Sequence, residues 1–218
     1  MVLLKVKAIV GNMRGKFIAL EGGDGSGKST TVAWLKEELH EHDIVFTREP
    51  GGTESGEEIR DILIRKRKCE LDVLTQILLF EAGRREHMVK KIIPALEAGT
   101  HIVCERFSAS TYAYQIVAGE GARYKELYCA VDQAVRNEIE PDAIILLDVA
   151  PEVGLARKRS LMEESDVFEE KELDFHRLVR EGIKTYVQDR PHIVIDSTDA
   201  GVEKVRTEVK RAILSYIQ

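Results

Sequence analysis

Two kinds of apolar pattern alternate along the chain. Short, nearly continuous runs of Ile, Val, Leu and Ala occur at 16–20 (KFIAL), 43–47 (DIVFT), 101–105 (HIVCE), 143–149 (AIILLDV) and 192–196 (HIVID). Runs of that length and content read as strands covered on both faces. Between them, apolar positions recur at helical spacing over 28–41, 54–67, 71–98, 110–138, 151–162, 169–188 and 200–217, with a break expected near Gly119 and Gly121. Strands separated by helices are joined by crossovers rather than hairpins, so the sheet is predicted parallel. The fold class this predicts is α/β, a doubly wound five-stranded parallel sheet with helices on both faces. No internal repeat, low-complexity tract or Pro/Gly-rich linker divides the chain, so one domain is expected.

Composition narrows the partners. With 218 residues, 44% of them hydrophobic, the chain can bury one good core. A formal net charge of −6 argues against nucleic acid or an anionic membrane as a partner, because both attract basic surfaces. Any phosphate site must therefore be a local concentration of positive groups. Cys69, Cys104 and Cys129 are far apart, odd in number and without metal-type spacing, which reads as free thiols in a reducing cytoplasm. No apolar run approaches the ~20 residues of a membrane span. The opening MVLLKVKAIV is short and punctuated by lysine, and reads as an extra strand or an upstream extension rather than a signal peptide. The charged stretch 157–172 reads as a solvated helix–loop–helix.

Candidate chemistry begins at FIALEGGDGSGKST, Phe17 to Thr30, where a strand candidate meets a loop with glycine at 22, 23, 25 and 27. Clustered glycine marks backbone that must bend sharply or approach another group closely. Gly22, four intervening residues, Gly27, Lys28 and Ser29 satisfy G-x-x-x-x-G-K-[ST] between a strand and a helix, the placement a phosphate loop requires. The segment Gly22, Gly23, Asp24, Gly25, Ser26, Gly27, Lys28, Ser29 and Thr30 is thus the predicted ATP site. Backbone amides would wrap the phosphates, Lys28 would reach the β and γ oxygens, and Ser29 would ligate Mg²⁺. Guanidinium groups suited to phosphate by paired hydrogen bonds are available from Arg48, Arg60, Arg84, Arg85, Arg106, Arg157 and Arg159. Arg106 stands out because it follows a buried strand candidate, and ligands bind open α/β sheets at the carboxyl ends of strands.

A phosphate loop serves many functions, and the remaining motifs narrow the choice. From about Met13 the chain resembles the thymidylate kinases, especially the bacterial type, within the P-loop nucleoside monophosphate kinases. The resemblance rests on MRGKFIALEG, the phosphate loop, FTREPGGT, GEEIR, LLFEAGRREH, IIPALEAG, ERFSASTYAYQ, PDAIILLDVAPEVGLAR and FHRLVREG, in that order. It implies phosphoryl transfer from Mg·ATP to dTMP, a cytoplasmic location and a homodimer. It also implies a single kinase domain over 13–218, a small mobile lid at about 157–170, and an N-terminal extension over 1–12.

Residue by residue, the resemblance makes Phe80 the aromatic stacked on thymine. Arg84, one helical turn later, would hydrogen-bond the base. Thr111 and Gln115 match positions near the base, and Tyr114 matches a tyrosine against the 2′ side of the sugar. Asp24 matches a carboxylate on the acceptor sugar, and Glu49 an acidic residue near the reacting phosphates. Arg106 and Arg60 match acceptor-phosphate contacts. Lys28, Arg106, Arg157 and Arg159 form the implied catalytic set, with Ser29 and Glu105 at the metal. The family's usual Asp-Arg is here Glu105-Arg106. Gly25 stands where the eukaryotic type carries arginine, and Val167 where bacterial members have a later lid arginine. The resemblance at TREPGG also predicts a cis Glu49–Pro50 bond. Two other readings are a broader deoxynucleoside monophosphate kinase and, from another class, a P-loop ATPase switch acting on a protein partner.

Overall fold

The computed structural model describes residues 14–65, 71–137, 139–160 and 171–218. The extension expected at 1–12 and most of the lid, 161–170 with Val167, lie outside the described residues. The elements in chain order are β1 (Phe17–Gly22), α1 (Lys28–Glu38), β2 (Ile44–Arg48), α2 (Glu54–Ile64), α3 (Val73–His87), α4 (Ile93–Glu97) and β3 (His101–Glu105), then α5 (Ser108–Thr111), α6 (Lys125–Arg136), β4 (Ala143–Asp148), α7 (Pro151–Ser160), α8 (Leu173–Val187), β5 (His192–Asp196) and α9 (Val202–Ile217). The five strands make one parallel sheet in the order β2-β3-β1-β4-β5. Every strand falls within two residues of its predicted span.

Alternation along β1 explains the continuous apolar run. Phe17 and Ala19 pack on one side with Met88, Ile92, Val179 and Ile183, while Ile18 and Leu20 pack on the other with Leu35, Val209 and Ile213. Both faces are therefore dry. β1 lies between β3 and β4, where the winding reverses, so the loops after β1, β2 and β3 open onto one crevice at their carboxyl ends.

The predicted helix over 71–98 is helical throughout most of its length but is not one α-helix. α3 widens into a π turn at Met88–Ile92 before α4. Pro94 has no N–H to donate and its ring crowds the carbonyl four residues back, and a widened turn just before it relieves both. A second π turn, Tyr112–Val117, continues α5 and ends in the bend over 118–120, where the chain is expected to break. Glu49–Pro50 is cis, as predicted.

Candidate active site

The crevice holds a cavity of about 550 Å³ running from the loop after β1 to the inner face of α3. At one end lies the phosphate loop, residues Asp24 to Thr31 lining the wall. Gly25 has φ +68, and a Cβ there would run into the backbone of Gly154 at the start of α7. An arginine at this position is excluded by that contact. Lys28 is buried, and its ammonium donates to Gly22 O and Gly23 O, both at 2.8 Å, and to Ser26 Oγ at 3.1 Å. Burial, aided by the nearby Arg106 charge, lowers its pKa to about 7. Ser29 Oγ donates to Glu105 Oε1 at 2.7 Å, so a hydroxyl from α1 and a carboxylate from the end of β3 meet at the loop.

Arg106, the residue after β3, adopts φ 64, which turns its side chain back over the loop. Its Nη2 donates to Asp24 Oδ1 at 2.6 Å, and its Nη1 to Ser110 Oγ at 3.2 Å and Gly22 O at 3.3 Å. Tyr114 donates its hydroxyl to Asp24 Oδ2 at 2.9 Å, and the Arg106 guanidinium lies 5.1 Å from the Tyr114 ring centre. Burial raises the Asp24 pKa, but Arg106 and Lys28 outweigh it and hold the carboxyl below its usual range. Behind this group stands Glu21, fully buried, accepting from the amide of Phe107 at 2.7 Å and the hydroxyl of Ser110 at 2.6 Å. Glu21 anchors the turn that carries Arg106, and in the sequence it is hidden inside an apolar run.

At the far end Phe80, half-buried, lines the cavity with Arg84, Thr111, Tyr114 and Gln115. Arg84 is only 2% exposed. Its Nε donates to Glu49 Oε2 at 2.8 Å, its Nη1 to Glu81 and to Asp132 Oδ1 at 3.2 Å, and its Nη2 to Thr111 Oγ1 at 2.8 Å. The guanidinium also rests 5.0 Å from the Phe107 ring centre. Asp132 accepts from Ser108 at 2.6 Å and Arg136 at 2.9 Å, and Glu49 pairs with His87 Nδ1 at 3.0 Å. Burial pushes the Glu81 carboxyl up to about 7, with Arg84 pulling the other way. Gln115 donates to Gln76, which in turn donates to Leu71 O, so a backbone carbonyl fixes the Gln115 amide through one intermediary. Asp132 and Gln76 carry no local motif, and Glu81, though inside LLFEAGRREH, is given no role by the resemblance.

The predicted cations are distributed unevenly. Arg60 lines the cavity and donates to Pro50 O at 3.0 Å, beside the cis bond. Arg157 lines it too, but its guanidinium donates to Ser197 O at 2.8 Å and Thr198 O at 2.9 Å, tying α7 to the loop after β5. Arg159 is exposed and outside the lining, whereas Lys158 is within it. That border is completed by Ser197 and an apolar shelf of Ala200, Val202 and Val205, which no sequence motif marks.

Comparison with known proteins gives one family. The Thymidylate kinase family model matches residues 20–209. A thymidylate kinase of Symbiobacterium thermophilum is 40% identical over 200 residues, covering 90% of this chain and 92% of that protein. One from Bacillus cytotoxicus is 39% identical over 209 residues, covering 94% and 100%. The crystal structure of thymidylate kinase from Ehrlichia chaffeensis superposes with a TM-score of 0.70 at 32% identity, over 92% of this chain and 99% of that one.

Proposed function

The chain belongs to the thymidylate kinase family, and we propose that the cavity along β1, β2 and β3 performs that family's reaction with the residues named above. The protein is a nucleoside monophosphate kinase that transfers the γ-phosphoryl group of ATP to the 5′-phosphate of dTMP. An oxygen of the acceptor phosphate bonds to the γ-phosphorus as the bond to the β–γ bridging oxygen breaks, leaving ADP. The observation that carries the residue assignment is the one cavity lined from the phosphate loop through Arg106 and Tyr114 to Phe80.

ATP phosphates would take the place of the neutral oxygens that Lys28 now contacts, and their charge would keep the ammonium protonated against its burial. The apolar shelf at Ala200, Val202 and Val205 suits the donor's base, and Arg157 holds that shelf in place. Lys158, on the cavity wall, adds positive charge facing the donor, while Arg159, exposed and outside the lining, belongs to the lid proposed for 157–170. Arg106 grips the acceptor phosphate, with Arg60 beside it. Asp24 orients both Arg106 and Tyr114, linking the phosphate loop to the acceptor sugar. Phosphoryl transfer needs positioning and charge neutralisation more than covalent help, and these groups supply both. Kinases of this kind generally require a divalent metal. The Ser29 hydroxyl and Glu105 carboxylate are hard oxygen donors that fit Mg²⁺, which when bound would neutralise β and γ oxygens.

Phe80 offers stacking to any base, so Arg84, Thr111 and Gln115 are assigned the discrimination. A broader deoxynucleotide kinase is not favoured, because buried polar groups left unpaired penalise the wrong base. A partner-driven ATPase switch has no use for such a wall. A homodimer is supported by α2, α3 and α6, which pack side by side and leave Ile62, Leu78 and Leu127 at 42%, 48% and 45% exposure. Light scattering should give twice the chain mass, falling to one chain in Leu127→Lys. No described helix is long and apolar enough to cross a membrane, and a cytoplasmic location is proposed. The decisive assay is ADP release with and without dTMP, repeated with dUMP, dCMP and dGMP. ADP release independent of any acceptor would sink the assignment.

A further inference from the structure

Three carboxyl groups, Glu49, Glu81 and Asp132, surround Arg84 at the cavity wall, all of them buried. Facing them are Arg84 and His87 from α3, Thr47 and Glu49 from β2 and the turn after it, and Cys104 from β3. Ser108 and Thr111 come from α5, and Tyr128, Asp132 and Arg136 from α6. The neighbouring part of α2 offers apolar Ile59, against Gly83. Two guanidinium groups thus meet three carboxyls. Glu49 also holds His87, and Asp132 is shared between Arg84, Arg136 and Ser108. Glu81 is the least supported of the three: its Oε1 meets Arg84, while its Oε2 is buried with no hydrogen-bond partner among the described residues. A bare carboxylate oxygen in a dry site is costly, whereas a neutral carboxyl there costs much less.

We propose that Glu81 is a positioning residue for the acceptor base, held as the neutral acid so that its Oε1 fixes Arg84 while the cluster stays charge-balanced. The proposal rests on the assignment of Arg84 to the base. With Glu81 neutral, Nε is pinned by Glu49, Nη1 by Glu81 and Asp132, and Nη2 stays with Thr111 on the cavity wall. Ionisation of Glu81 adds a negative charge behind that wall, draws Nη1 inward and opposes a base that presents carbonyl oxygens. The carboxyl's upward shift to about 7 puts this change within the working range of pH. Lys28, Ser29 and Arg106 hydrogen-bond none of Glu81, Arg84 and Asp132, so the effect falls on KM for dTMP rather than on kcat.

The test is steady-state kinetics at saturating ATP from pH 6 to 8.5 with the native chain and Glu81→Gln. Taking the ratio of the two enzymes cancels the titration of dTMP's own phosphate and of Lys28. The native-to-variant KM ratio should rise about fivefold with a midpoint near 7, the scale of one buried charge acting on a neighbouring hydrogen bond. The kcat ratio should stay level with pH. A KM ratio independent of pH, or one mirrored in kcat, overturns the proposal. Should Glu81→Gln fail to fold, calorimetric binding of thymidine to the native protein serves instead. Thymidine lacks the phosphate, and its affinity should weaken about fivefold over the same range; constant affinity overturns the proposal. Failure of the base-site assignment shows separately, as native enzyme that accepts dCMP as well as dTMP.

Discussion

At the phosphate-loop end the buried Lys28 ammonium is surrounded by neutral oxygens, two backbone carbonyls and one hydroxyl. At the Phe80 end the buried Arg84 guanidinium is surrounded by carboxylates and one hydroxyl. The first cation hydrogen-bonds only neutral groups, so an anionic ligand would complete it. The second is already neutralised, and what it retains is direction: a planar donor set fixed at three corners. One end attracts charge and the other reads shape and hydrogen bonds, which is the division of labour a nucleotide requires.

The comparison breaks most visibly if Lys28 is removed. Lys28→Ala should lower kcat by about 10³-fold or more while leaving the thermal midpoint near the native value, since the lysine supplies charge at the transition state and little packing. Near-native turnover in that variant would end the phosphate-loop assignment. Arg84→Ala should do the reverse in kind. Stripping a shared cation from three buried carboxyls should cost about 3–5 kcal/mol of stability, read from urea denaturation, on top of any loss of dTMP binding. A variant as stable as native would mean that the carboxyls do not depend on Arg84.

Tyr114 tests the boundary between the two ends, because its hydroxyl is held by Asp24 from the phosphate loop. Tyr114→Ala should reduce the preference for dTMP over its ribonucleotide counterpart by about tenfold, measured as kcat/KM, by vacating the space on the 2′ side. An unchanged ratio would remove Tyr114 from that role. The smallest effect concerns Glu81 and stability. Its folded pKa, about 7, lies above the usual value of 4.5. The folded state therefore binds the extra proton between those values, and stability is lost as pH rises through that window. Glu81→Gln does not titrate, so relative to native it should gain about 1–1.5 kcal/mol between pH 6 and pH 8. A difference constant with pH would show that Glu81 is ionised throughout.

Much of the site was legible because it is contiguous. The phosphate loop spans nine residues, and its glycines, lysine and hydroxyls declare their purpose through spacing alone. Phe80 and Arg84 are one helical turn apart, and Arg106 is marked by its place after a strand. The groups that hold these residues were not legible. Glu21 looks like an interruption in a strand, Asp132 and Arg136 like the polar face of a surface helix, and Gln76 like any helix-former. Arg157 reads as a free lid cation, yet it holds the carbonyls of Ser197 and Thr198, forty residues away in sequence.

By itself the sequence determined the five strands, the helices between them, the parallel sheet and the loop assigned to phosphate, because each follows from local periodicity or from backbone freedom that only glycine allows. Tertiary structure alone decided which cations stay available and which are neutralised. That outcome depends on which carboxylates, carbonyls and hydroxyls reach a buried group from α3, α5, α6 and the turn after β2, and electrostatics in a dry interior is set by distance in space rather than along the chain.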